Sequence, residues 1–176
     1  MSELATKNDE TMIIPAFGKM PQMSFVMNSI RTAEQRLIEA KDVNPLTYSD
    51  LEHSFNEAYR ELKKYLSQIQ YGIAQAEKSL EEAKANILLD RYPAFLEEKQ
   101  MKKTQDNADL RKAFMMRDKE YTDALDRVNQ LKALESNFDG KLKVMERACA
   151  YMKKKMDLII RSGLSDPKLY VTGGKK

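Results

Sequence analysis

The chain has 176 residues, of which 32% are charged and 42% hydrophobic, with six glycines, five prolines and no tryptophan. This length suits one domain, and this composition favours long, surface-rich helices over a fold with many turns. The single cysteine excludes an internal disulfide and a cysteine metal cluster within one chain, and no apolar run is long enough for a membrane span.

The charge is distributed unevenly along the chain. Residues 141–176 contain ten Lys and Arg against three Asp and Glu, although the formal net charge of the whole chain is only +3. A cationic C-terminal part beside an acidic remainder predicts a polyanionic partner, with nucleic acid as the first candidate. We expect a cytoplasmic protein, because the N-terminal residues do not resemble a secretory signal.

The first 45 residues are predicted to form an arm and a short helix. Residues 1–23 are interrupted by proline and glycine, which indicates a flexible arm whose apolar residues 12–17 can dock on a partner. An amphipathic helix is predicted over 24–42, ending before Asn44-Pro45 because the residue before proline avoids helical geometry. The residues expected to be buried on it are Phe25, Ile30, Leu37 and Ile38.

Two apolar series at seven-residue spacing predict a long helix over about 49–91. The first series is Phe55, Leu62, Ile69, Ala76 and Ala83, and the second is Tyr59, Leu66, Ile73, Leu80 and Ile87. Five heptads of this kind are typical of a coiled-coil seam. Gly72 is the one weak position within this helix.

A polar connection over 93–106 is expected to lead into a second long helix over about 108–161, followed by a tail over 164–176. Gly140 weakens the second helix by about 1 kcal/mol relative to alanine. Neither helix can bury its apolar stripe alone. We therefore predict an all-α protein: a helical domain over 24–163 built as a long antiparallel hairpin with coiled-coil-like seams, which assembles into homo-oligomers.

No group of residues suggests catalysis, a metal site or a cofactor site. His53 has carboxylates nearby, but two ligands do not make a metal site, and a solvated histidine is the simpler interpretation. Cys149 falls on the apolar stripe, where a buried small hydrophobe is favoured over a nucleophile. We predict that the protein is not an enzyme.

The end of the second helix carries a basic face. With Leu142 and Met145 on the seam, Arg147, Lys154 and Arg161 fall on the opposite side of the helix at seven-residue spacing. The candidate nucleic-acid-binding residues are these three together with Lys143, Tyr151, Lys153 and Lys155. Cations track phosphates and an exposed tyrosine offers a stacking surface for bases, as in single-strand binding. Solvated surface lysines are the alternative interpretation of the same pattern.

The C-terminal half resembles the UvsY-type recombination mediators of tailed phages. The resemblance covers roughly residues 50–165 and is carried by "MKKT", a polar helix start at Leu110, a long amphipathic stretch and the closing "DLIIRSG" from Asp157 to Gly163. It implies an all-helical oligomer that binds single-stranded DNA. No motif of that family maps onto Arg147 or Tyr151, and the first 45 residues have no counterpart in it.

We therefore expect a single-stranded DNA-binding mediator that helps a RecA-like recombinase replace the single-strand-binding protein, in the cytoplasm of a phage-infected cell. The alternative is a structural or inhibitory coiled-coil protein that binds another protein. The long heptad seam and the apolar residues Ile13–Phe17 favour this second hypothesis.

Overall fold

The computed structural model describes residues 11–101 and 106–162, and most of these residues are helical. Two short strands come first, β1 (Thr11–Ile14) and β2 (Met23–Val26), and they pair in a two-stranded sheet. Helix α1 (Asn28–Gln35) and a 3₁₀ turn (Glu39–Asp42) follow. The remaining helices are α2 (Tyr48–Asn86), α3 (Tyr92–Glu98), α4 (Ala108–Met115) and α5 (Lys119–Arg161), with a π-helical turn (Ile87–Arg91) between α2 and α3. The prediction of an all-α protein holds in its coarser part: the described residues are mostly helical, with long helices and one small two-stranded sheet.

The seven-residue series on α2 is largely buried. The first series lies at 0% exposure from Phe55 through Ala76 and at 2% for Ala83. In the second series, Leu66, Ile73 and Ile87 are buried while Tyr59 and Leu80 are half-buried. The apolar spacing therefore identifies the inward face of α2.

The described residues divide into two compact units. Unit 1 comprises residues 11–13, 24–67 and 137–162, and unit 2 comprises residues 14–23, 68–101 and 106–136. Each of the long helices α2 and α5 contributes one segment to each unit.

In unit 1 the two long helices run antiparallel and enclose an aromatic cluster. Phe25 of β2, Tyr65 of α2 and Phe138 of α5 have ring centroids 5.0 to 6.3 Å apart. The Tyr65 hydroxyl also accepts a hydrogen bond from the Val26 backbone N–H and donates one to the Val26 carbonyl, at 3.1 and 3.0 Å. These contacts hold β2 and α5 against α2.

In unit 2 the corresponding segments of α2 and α5 also run antiparallel. Lys132 pairs with Glu77 at 2.7 Å, and the Gln70 amide donates to Glu135 at 2.9 Å. Glu135 lies on the apolar stripe of α5, and this hydrogen bond accounts for a polar residue there. A second aromatic cluster, formed by Tyr92, Phe95 and Phe114, joins α3 to α4.

The N-terminal segment differs from the sequence prediction. Residues 11–23, expected in a flexible arm, contain β1 and an antiparallel bridge between Phe17 and Met20, and both Met20 and Met23 are buried. The helix predicted over 24–42 is wrong, because β2, α1 and a 3₁₀ turn occupy this segment. Alternation along β2 buries Phe25, whereas Ile38 lies beyond the end of α1 and is 74% exposed. Residues 1–10 lie outside the described part of the chain.

The connections around α3 and α4 also differ from the prediction. The expected polar connection over 93–106 begins with α3, in which Pro93 occupies the first turn, where a missing N–H is tolerated. The helix predicted over 108–161 is interrupted between Met115 and Lys119. Asp118 causes this restart, because its carboxylate accepts from the backbone N–H groups of Glu120 and Tyr121 at 2.9 and 3.3 Å.

The second long helix passes through Gly140 without a break. The predicted tail over 164–176 lies outside the described residues, as does the predicted helical-domain boundary at Gly163. Among the described residues, no helix has both the length and the apolar character required to cross a membrane.

Candidate nucleic-acid interface

All seven candidate residues lie on the unit 1 segment of α5. This segment buries Leu142, Met145 and Met152, which are 4%, 0% and 0% exposed, against the rest of unit 1. Because α2 covers that side, the residues on the opposite side of α5 face outward. Six of the seven candidates are exposed, and Lys155 is half-buried.

Three of the cations form a row that we call the basic row: Arg147, Lys154 and Arg161. Each is exposed, and successive members lie seven residues apart, which is about 10.5 Å along an α-helix. None of the three forms an ion pair with another described residue. The basic row thus presents positive charge that the described part of the chain does not neutralise.

The other three cations are engaged within unit 1. Lys143 pairs with Asp139 at 2.6 Å, and the Lys153 Nζ lies 3.9 Å from a Glu52 oxygen. Lys155 donates a hydrogen bond to the Lys41 carbonyl. Exposed ion pairs contribute about 0–1 kcal/mol, so Lys143 and Lys153 remain available to a phosphate at little cost. Lys155 is half-buried and less available.

Glu52 is the acidic residue that faces Lys153. It accepts a hydrogen bond from the Tyr48 hydroxyl at 2.9 Å and faces Lys153. Burial, with a smaller contribution from Glu52, raises the pKa of Tyr48 to about 12. Glu52 therefore lowers the positive potential beside Lys153, whereas Arg147, Lys154 and Arg161 form no ion pair with the described residues.

Tyr151 lies beside the basic row and is 49% exposed. Its ring has no aromatic or cation–π contact with another described residue. An exposed ring next to unpaired cations can stack on a base while the cations bind the adjacent phosphates.

Sequence reasoning missed two residues on this face, Val144 and Leu158. They lie seven residues before and after Tyr151 and are 41% and 58% exposed, so the three side chains form one outward row. The seven-residue spacing is visible in the sequence. The seam pattern alone does not single them out, because many apolar residues of α5 lie in the core.

Cys149 lies in a shallow groove of about 280 Å³ in unit 1, lined also by Asn56, Tyr59, Glu146, Ala150 and Lys153. Burial raises the pKa of the Cys149 thiol, which keeps it protonated at neutral pH and makes it a poor nucleophile. His53 is exposed on α2. The described residues contain no cluster of three or more side chains suited to binding a metal ion.

Comparison with protein-family models, with curated proteins and with solved structures finds no match for this chain in any of the three.

Proposed function

We propose that the protein binds single-stranded DNA through the outward face of α5 and acts as a recombination mediator. The observation that carries this proposal is the basic row, three exposed cations at regular spacing that form no ion pair with the described residues, beside the exposed ring of Tyr151. The resemblance of residues 50–165 to UvsY-type mediators supports the same function.

The number and spacing of the charges suit a single strand. Arg147 and Arg161 are separated by fourteen residues, or about 21 Å of helix, which spans several nucleotides of a single strand. Tyr151 favours a single strand over a duplex, because the faces of stacked base pairs are closed to a side chain. Several copies in an oligomer would add their basic rows and increase affinity through multivalency.

The proposal predicts salt-dependent binding of an oligonucleotide. A fluorescein-labelled oligothymidylate should bind the full-length protein at low salt, as measured by fluorescence anisotropy. If the basic row contacts three phosphates, the logarithm of the association constant should fall by about two for each tenfold increase in salt. Absent or salt-insensitive binding would reject the proposal.

Charge reversal locates the binding surface. The double variant Arg147→Glu/Lys154→Glu should lower oligonucleotide affinity by at least about tenfold, because it replaces two phosphate contacts with repulsion. The matched control is Lys78→Glu/Lys112→Glu, which makes the same charge change at two exposed unit 2 lysines without described ion pairs. Equal losses in both double variants would show that only net charge matters, and the assigned surface would be wrong.

Mediator activity is tested separately from binding. Single-stranded DNA coated with a single-strand-binding protein slows the DNA-dependent ATPase of a RecA-like recombinase. Addition of this protein should relieve that inhibition, and the Arg147→Glu/Lys154→Glu variant should relieve it less. A protein that binds DNA but never relieves the inhibition would be a DNA-binding protein without the mediator role.

A further inference from the structure

The outward face of α5 in unit 1 carries an apolar row that DNA binding does not explain. Val144, Tyr151 and Leu158 are 41%, 49% and 58% exposed, and each lies seven residues from the next. The buried residues Leu142, Met145 and Met152 of the same helix segment lie on a different face of the helix. A base can stack on Tyr151, but Val144 and Leu158 have no flat π-surface to offer.

Positive charge flanks this apolar row on both sides. At about 100° per residue, the basic row lies about 60° to one side, and Lys141 and Lys155 lie about 60° and 40° to the other. No acidic residue occupies either flanking position between residues 140 and 162. Lys141 pairs with Glu34, and Lys155 donates to the Lys41 carbonyl, so the positive charge is stronger on the side of the basic row.

Apolar residues at seven-residue spacing with charges on both flanks match the surface that one helix presents to another in a coiled coil. The flanking charges of such a surface select the partner, because like charges opposite each other are unfavourable. A second copy docking through this same face would bring the two basic rows together, which argues against self-association here.

We propose that Val144, Tyr151 and Leu158 form a docking surface for an acidic amphipathic α-helix of another protein. The apolar residues of that helix would cover the row, and its Glu and Asp side chains would pair with Arg147, Lys154 and Arg161. The row spans about 21 Å, two heptads, so the interface is small and the affinity should be in the micromolar range.

This inference goes beyond the proposed DNA binding and does not depend on it. If both proposals are correct, the DNA site and the docking surface share Tyr151 and the basic row. An acidic helix and a single strand would then compete for one surface. Such competition gives a partner protein a way to release DNA from α5.

The probe for this surface is a labelled synthetic peptide of about three heptads with Leu at both seam positions and Glu at the flanking positions. Repulsion between its own glutamates keeps it from pairing with itself. The control peptide has Lys in place of every Glu. In anisotropy titrations with the full-length protein, the Glu peptide should bind at least about tenfold more tightly than the Lys peptide.

Variants distinguish this surface from the DNA site. Val144→Ser/Leu158→Ser should lower the affinity for the Glu peptide by at least about tenfold and change the affinity for the oligonucleotide by no more than about twofold. Both side chains are exposed, so the thermal midpoint followed by circular dichroism should not change. Arg147→Gln/Lys154→Gln should lower the affinity for both the peptide and the oligonucleotide. Lys78→Gln/Lys112→Gln should lower neither affinity.

Three results would overturn the inference. The first is equal binding of the Glu and Lys peptides, and the second is unchanged Glu-peptide binding by Val144→Ser/Leu158→Ser. The third is a fall in the molar mass of that double variant in light scattering, which would show that a second copy covers the row. If the unmodified protein does not bind the oligonucleotide, the proposed function is rejected, but this docking surface is not.

Discussion

At the scale of single residues, Tyr65 shows how one side chain joins two parts of unit 1. Its ring packs edge-on against Phe25, and its hydroxyl satisfies both backbone polar groups of Val26. A sequence pattern can identify Tyr65 as inward-facing but not its hydrogen-bond partner, because that partner lies 39 residues earlier in the chain.

Replacing Tyr65 with phenylalanine should destabilise the protein by about 1–3 kcal/mol, because it leaves the N–H and carbonyl of Val26 without this partner. Tyr71, which is 57% exposed, provides the control, and Tyr71→Phe should change stability by less than about 0.5 kcal/mol. Urea denaturation followed by circular dichroism measures both variants. Equal stability of the two variants would contradict the role assigned to the hydroxyl.

The raised pKa of Tyr65 makes the stability of the protein depend on pH. Burial, with a smaller contribution from Glu61, raises the pKa of Tyr65 to about 12, above the ordinary tyrosine value of 10.0. The contribution of a raised pKa to stability is complete below pH 10 and is lost as the pH rises towards 12, because the unfolded chain ionises first. The stability difference between the unmodified protein and Tyr65→Phe should therefore shrink between pH 10 and 12 in urea titrations. A difference that stays constant over this range would contradict the pKa shift.

At the scale of elements, the seven-residue series predicts which face of α2 is inward, but not where the helices stop. The break before α5 depends on Asp118, whose carboxylate caps the helix and pairs with Arg91, 27 residues earlier. A capping aspartate in a polar stretch has no distinctive pattern, which is why the sequence predicts one helix over 108–161 where the structure has two.

The two helix glycines have opposite surroundings and should respond differently to alanine. Nothing lies within 4 Å of a Cβ built on Gly140, so Gly140→Ala should stabilise the protein by about 0.5–1 kcal/mol. A Cβ on Gly72 would lie 2.9 Å from the Met23 Cε and 3.2 Å from its Sδ. Overpacking there should cancel most of the helical gain. Thermal melts of both variants test this, and a larger gain for Gly72→Ala would contradict the packing of Met23 on α2.

At the scale of the whole molecule, the sequence predicts self-association from the length of the apolar stripes. Each unit nevertheless supplies antiparallel helix segments that bury part of these stripes within one chain. Oligomerisation therefore remains a prediction that depends on the half-buried and exposed apolar residues.

Size-exclusion chromatography with light scattering should give a molar mass well above the 20.3 kDa of one chain. An added oligothymidylate should shift the elution at low salt and not at high salt, because the complex depends on phosphate contacts. A strictly monomeric protein in both buffers would reject the oligomer, and DNA binding would then depend on a single basic row.

The sequence by itself determined the long helices, the inward face of α2 and the position of the basic row, because all three follow from helical periodicity within one segment. The tertiary structure alone decided that residues 11–26 form strands and bury Met20, Met23 and Phe25. It also decided which lysines are engaged, since Lys141 pairs with Glu34 across 107 residues and Lys155 reaches Lys41 across 114. Periodicity describes one helix at a time, whereas these contacts join segments distant in the chain, and only packing brings them together.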